Sequence, residues 1–340
     1  MKLDPGRYAL GLAGESTLDL VRAVERAEAA GFHSAWSTEL HHTAFVPLAA
    51  AAMRTTRIQL GTGIALAFVR SPLITALTAL DLDELSDGRA ILGLGTGVER
   101  LNERWHNARF GAAAPHMRET VDLVRLFLRG VYTNEPLRFT GEYYDIDVRG
   151  YQRPGKPVRE RLPIYIAAVG PAMTRLTGEI GDGWLSHELN SPRYFTEMIW
   201  PNLQRGLQRA GREREQITLC ASLLCAPNRD RVLARRAAAA QIAFYASVRT
   251  YAPFFAFHGF GSEATRIQER FRAGDRGGML AAVSEAMIDC FAAAGTPDEV
   301  RRALGRYGDT VDIVKLSAPS HDIPPEETAA LQEGILDLFA

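Results

Sequence analysis

Residues 58–97 read IQLGTGIALAFVRSPLITALTALDLDELSDGRAILGLGTG. A short apolar run, Ile58–Gly61, leads into a glycine-rich corner, and Ser71-Pro72 then sets a hydroxyl at a helix cap with proline at the first helical position. The hydroxyl accepts an N–H that the first turn leaves free, and proline lacks the N–H that would go unpaired there. A second apolar run, Ala90–Leu94, ends in a second glycine-rich corner reaching Gly97. The stretch is therefore one strand–helix–strand unit with open chemistry at the end of each strand.

The same rhythm recurs outward in both directions. Tyr8–Leu12, Ser34–Ser37, Ile58–Gly61, Ala90–Leu94, Ile164–Ala168, Trp184–Leu185, Ile217–Leu224 and Val311–Leu316 are apolar runs of strand length. Their near-continuous apolar character suits a parallel sheet covered by helices. Ser16 with Asp19, Ser191-Pro192 and Thr296-Pro297 with Glu299 start further helices, and Gly31, Gly130, Gly181, Gly211, Gly295 and Gly308 read as stops. Such an alternation closes into a barrel or opens into a doubly wound sheet. The count of eight favours an α/β chain forming one (β/α)8 TIM-barrel domain over 1–340. Two insertions interrupt it. Residues 131–162, after strand 4, are rich in Pro and Gly around Tyr143-Tyr144 and suggest a hairpin. Residues 245–280, between strands 7 and 8, suggest long helices with an aromatic-rich middle over the barrel's C-terminal mouth.

A net charge of −1 argues against a nucleic-acid or anionic-membrane partner, both of which require a standing positive field. Cys220, Cys225 and Cys290 are odd in number and lack metal or redox spacing, which suggests reduced thiols in a cytoplasmic protein. No apolar run is long enough to span a bilayer, and the N-terminus has no leader pattern.

Three corners draw attention as sites of chemistry. Gly93-Leu94-Gly95-Thr96-Gly97 fails as a dinucleotide fingerprint because Val98 stands where glycine is required. It and Gly61-Thr62-Gly63-Ile64 suit backbone approach to a flat ligand or a merely tight transition. Ala167-Ala168-Val169-Gly170-Pro171 leads straight into a helix, and reads either as a plain strand-to-helix junction or as a phosphate site made of free N–H groups. Glu39, His41 and His42 follow strand 2 and His187 follows strand 6, all candidates for acid–base work or plain packing. No HExxH and no second histidine cluster at ligand spacing are present, so no metal is expected, and GxSxG and the P-loop pattern are absent as well. A mouth of small residues and histidines suits a cofactor that does the chemistry while the protein orients it.

In order along the chain, AEAAGFHSAWSTE (27–39), IQLGTGIALAFVRSP (58–72), LSDGRAILGLGTG (85–97), PIYIAAVGPAM (163–173), GEIGDGW (178–184) and GTPDEVRRAL (295–304) resemble the luciferase-like monooxygenase superfamily. The form of these stretches, with Arg118-Glu119 after Pro115, is most similar to probable coenzyme F420-dependent oxidoreductases. The resemblance implies a deazaflavin ring at the mouth and hydride transfer to or from a small organic substrate. It also implies a cis peptide at Gly63–Ile64, with Ile64 and Ala65 against the ring. Glu39, Thr96, Gly97, Val169, Gly170, Pro171, Met173 and His187 are then cofactor contacts, with His41 or His42 as proton donor beside Glu39. It further implies a homodimer. Leu40 after Glu39, Val98 after Gly97, and Asn190 depart from the sugar-phosphate dehydrogenase branch, so a sugar phosphate is not expected. FMN with oxygen chemistry, or a non-catalytic flavin-binding barrel, is the alternative.

Overall fold

The computed structural model describes residues 3–339. Eight parallel strands close into a barrel: β1 Tyr8–Gly11, β2 Ser34–Ser37, β3 Gln59–Thr62, β4 Ala90–Gly95, β5 Ile164–Ala167, β6 Gly183–Leu185, β7 Thr218–Pro227 and β8 Ile313–Ser317. Each pairs with its sequence neighbour. Tyr8 opposite Val314 and Thr218 opposite Gly183 complete the ring. Each of the eight apolar runs forms a barrel strand, so the expectation of a (β/α)8 barrel holds.

The helix starts fold as their chemistry dictates. Ser16 and Asp19 form a reciprocal capping box for α1, Thr17–Ala29. The Ser71 hydroxyl accepts from the Ile74 N–H to open α2, Pro72–Leu85. Thr296 and Glu299 repeat the box ahead of Pro297–Leu304. Gly31 takes φ +83°, a conformation that costs a side-chain-bearing residue about 1–2 kcal/mol. Gly295 is not a helix stop. It closes a short strand, Ala292–Gly295, that pairs with the C-terminal half of β7.

The 131–162 insertion contains the antiparallel hairpin Leu137–Thr140 with Asp145–Val148. Its tip is held by the Glu119 carboxylate, which accepts from the N–H groups of Glu142, Tyr143 and Tyr144. The His116 ring stacks between Phe68 (3.8 Å) and Tyr143 (4.1 Å), tying the hairpin to the segment after β3. The 245–280 segment holds short helices, Ala252–Phe257, Gly261–Arg272 and Arg276–Ala281, instead of long ones.

The barrel axis has its own apolar layer of Ala9, Trp36, Ile91, Tyr165, Leu185, Cys220 and Ile313, one from every strand except β3. At that level β3 carries Gly61, opposite Trp36. A Cβ on Gly61 would lie 2.4 Å from the Trp36 ring, so the indole fills the space that β3 leaves. Among the described residues no helix is long and apolar enough to cross a membrane.

Candidate active site

The three corners sit side by side at the C-terminal ends of β3, β4 and β5. The Gly63–Ile64 peptide is cis, as the resemblance implies. The turn is braced from β2: Gly63 N–H donates to Ser37 O (2.8 Å), Thr38 Oγ1 to Gly63 O (3.0 Å), and Glu39 N–H to Ile64 O (3.1 Å). Beyond it, Ala65–Leu66 pairs with Leu94–Gly95 of β4.

Glu39 is part of this brace. Its carboxylate accepts from Leu66 N–H (2.8 Å) and forms a bidentate pair with Arg70. An oxygen set so engaged positions the turn. His41 and His42 follow after Leu40, the first exposed and the second half-buried, and neither hydrogen-bonds a described residue. Ala65 is buried in the outer core, so only its backbone could face a ligand at this turn.

The glycines at two corners make room for the protein itself. A Cβ on Gly63 would meet Trp36 at 3.0 Å, one on Gly95 would meet Ile64 at 2.6 Å, and one on Gly93 would lie 1.9 Å from the Thr62 carbonyl. Of the two readings the sequence allowed, a flat ligand or a tight transition, the packing is the second at these glycines, and cross-strand neighbours are invisible in one strand's sequence. Thr96 turns its hydroxyl to Gly97 O, and Gly97 adopts φ +61° against Leu66.

The third corner differs. A Cβ on Gly170 would meet nothing within 4 Å. Gly170 is the N-cap of α3, Pro171–Ile180, with no side-chain cap. Val169 and Pro171 are exposed and Met173 is half-buried, which leaves the first-turn N–H groups facing open space. An uncapped helix start with an empty cradle fits a phosphate through both its free donors and its dipole.

His187 lies just beyond β6. Its Nδ1 accepts from Leu189 N–H (3.0 Å), so Nε2 carries the proton and donates to the Tyr251 hydroxyl (3.1 Å). Burial pushes its pKa down to about 4, so the ring is neutral at pH 7. Tyr251 belongs to the segment following β7, and this bond pins that segment to the barrel.

Sequence reading missed a polar group beside it. The Glu188 carboxylate accepts from the Tyr245 hydroxyl (2.9 Å) and from Gln241 Nε2 (3.3 Å). Gln241 Oε1 takes the N–H groups of Ser320 and His321, so its Nε2 also faces His321 Nδ1 (3.0 Å). Burial raises the Tyr245 pKa, and the charge of Glu188 adds to the shift. Burial lowers that of His321, against the opposing charges of Glu188 and Asp322, and His41 close by adds a smaller lowering. Loops after β2, β6 and β8 and the helix after β7, Arg231–Ser247, thus converge on one rim. No single segment of sequence carries that convergence.

Lys315, on β8, was also missed, although it is the one base in the run VDIVKLSAP. Ile313 faces the barrel axis, so alternation turns Lys315 and Ser317 inward above it. Two cavities of about 400 and 360 Å³ lie at the opposite end of the barrel around Pro163 and Tyr165. The convergent acid, imidazole and amine groups and the open helix start all lie at the C-terminal mouth, which is therefore the candidate site. No group of His, Cys, Asp and Glu among the described residues could hold a metal.

Comparison with known proteins gives the family and the fold. An uncharacterized protein of Mycobacterium tuberculosis is 36% identical over 317 residues, covering 91% of this chain and 93% of its own. The 5,10-methylenetetrahydromethanopterin reductase of Archaeoglobus fulgidus is 32% identical over 288 residues, 82% of each chain. The structure of the coenzyme F420-dependent tetrahydromethanopterin reductase from Methanopyrus kandleri superposes with a TM-score of 0.79 at 24% identity, covering 99% of this chain and 100% of that one. The family described as luciferase-like monooxygenase matches residues 4–312. This chain, whose β3 turns through a braced cis peptide into an open barrel mouth, belongs to the luciferase-like monooxygenase family.

Proposed function

We propose that this protein is a deazaflavin-dependent oxidoreductase that transfers hydride between coenzyme F420 and a small organic substrate. The observation that carries the reading is a pair of strand ends on either side of β4: a braced turn at Gly63–Ile64 on β3 and an uncapped, empty helix start at Gly170 after β5. A planar ring backed by Ile64, with its phosphate at the N–H groups after Gly170, would use both. The relatedness to a Mycobacterium tuberculosis protein named putative coenzyme F420-dependent oxidoreductase, 30% identical over 300 residues, supports this choice of cofactor.

The bound deazaflavin would supply the two-electron hydride chemistry. The chain's own residues would do the rest. Glu39 and Arg70 hold the turn, Thr96 and Gly97 border the ring, and Val169, Pro171 and Met173 shape the phosphate cradle. His41, on the rim beside His321, would hold or release the substrate's proton. His187, neutral and bonded to Tyr251, would keep the segment after β7 over the mouth and limit the entry of water.

Parallel binding titrations of the purified protein with F420 and with FMN test this reading. Saturable binding of F420, at least tenfold tighter than FMN, is expected. Tighter binding of FMN, accompanied by oxygen consumption on reduction, would establish the monooxygenase alternative instead.

A further inference from the structure

The chain has three lysines, Lys2, Lys156 and Lys315, against 36 arginines. Almost all its positive charge is thus carried by guanidinium groups, many of them paired at the surface. Lys315 departs from that pattern in kind and in place. It sits mid-strand on β8, is only 8% exposed, and points up the barrel axis one layer above Ile313. The position is fixed by register, with Ala9 of β1 on one side and Ser222 of β7 on the other. Among the described residues its ammonium has no hydrogen-bond partner and no carboxylate within 4.0 Å. The Glu188 carboxylate is engaged by Tyr245 and Gln241.

A second inward group stands beside it unpaired. Ser317, two residues on, is 5% exposed, and its hydroxyl has no partner among the described residues. It occupies the space that Gly11 leaves, 2.5 Å from where a Cβ on that glycine would stand. Ser222, next to Lys315 in register, donates its own hydroxyl to Ser186 O (3.2 Å), leaving its oxygen as an acceptor. The rest of this level is small or neutral: Ala167 on β5, Gly95 on β4, and the neutral His187 beyond β6. An ammonium removed from most of its water is costly unless it is paired and hydrogen-bonded, so one kept without a protein partner on the inward face of the barrel marks the seat of an anion. A compact point charge with three donors on a thin stem reaches a barrel axis where a planar guanidinium would not fit.

We infer that Lys315 and Ser317 form the seat of a carboxylate at the floor of the mouth, so that the substrate is an organic acid. This rests on the oxidoreductase reading only for the word substrate; the seat itself is a property of the chain. The anion is not the cofactor's phosphate. The cradle at Gly170 follows β5, three strands round an eight-stranded ring from β8, and lies on the outer rim instead of the axis.

Selective labelling with [ε-13C]lysine gives three resonances, and Lys315→Met assigns one of them. Titration with sodium pyruvate and sodium acetate, with acetamide as the neutral control, is run with and without F420. The Lys315 resonance should move saturably with both carboxylates and not with acetamide, while Lys2 and Lys156 stay put. Lys315→Met should bind pyruvate at least tenfold more weakly, bind F420 within twofold of the parent, and unfold at the same temperature or higher. A merely structural lysine would lower that temperature. A Lys315 resonance that ignores the carboxylates with and without F420 overturns the inference. So does a Lys315→Met protein that loses F420 and keeps pyruvate. Pyruvate binding without any F420 binding would leave the seat intact and remove the proposed cofactor.

Discussion

At the scale of single residues, the mouth separates groups that hold geometry from groups free to react. Glu39 belongs to the first kind: Leu66 N–H and Arg70 both depend on it. Glu39→Ala leaves a partly buried guanidinium and a backbone donor unpaired, so thermal unfolding should report a loss of about 1–3 kcal/mol. An unchanged unfolding temperature would remove the brace. His41 belongs to the second kind, since no described residue binds its ring. One positioned proton donor contributes about 10²–10⁴ in rate, so His41→Ala should lower kcat within that range and leave F420 affinity alone. His42→Ala should cost less than His41→Ala in the same assay, and equal losses would refute the choice between them. Both histidines and Glu39 could be picked out from sequence because they follow a legible strand end. Glu188, Gln241 and Lys315 could not, because their meaning arises only where distant segments meet.

At the scale of elements, glycines that look alike in sequence do opposite jobs. A Cβ on Gly93 would stand 1.9 Å from the Thr62 carbonyl, a backbone atom that cannot swing away, whereas one on Gly170 would meet nothing. Gly93→Ala should therefore destabilise the protein by more than about 2 kcal/mol or prevent it from folding. Gly170→Ala should stay within about 0.5 kcal/mol of the parent, since its φ of −78° suits any residue. Denaturant unfolding of the two variants separates these outcomes, and equal destabilisation would contradict the packing described for β3 and β4. The strands and caps were legible because periodicity and capping are local. The role of the glycines was not, because Trp36, Leu185 and Ile64 reach them across neighbouring strands.

For the whole molecule, burial of imidazoles sets a dependence on acid. His33, His116, His187, His258 and His321 are all held below the ordinary histidine value, with burial the largest cause in each, and His187 and His258 reach about 4. Above about pH 6.5 both folded and unfolded chains carry them neutral, and their contribution is fully present. As the pH falls further, the unfolded chain takes up protons that the folded one refuses, and stability drains until the folded values are passed. His187 alone accounts for a loss on the order of 3 kcal/mol at 1.36 kcal/mol per pKa unit. Thermal midpoints should thus fall steadily from about pH 6.5 to about pH 4.5, and a flat profile across that window would contradict the burial described.

The barrel as a whole was the most readable feature, because eight apolar runs between capped helices leave few other closures. What that barrel does depends on whether the β3 turn and the Gly170 cradle serve one ligand. A structure determined with F420 bound tests this most directly. The account predicts the deazaflavin ring against Ile64 and its phosphate oxygens within about 3 Å of the N–H groups following Gly170. A ring seated elsewhere in the barrel, or a phosphate held away from that helix, would contradict it.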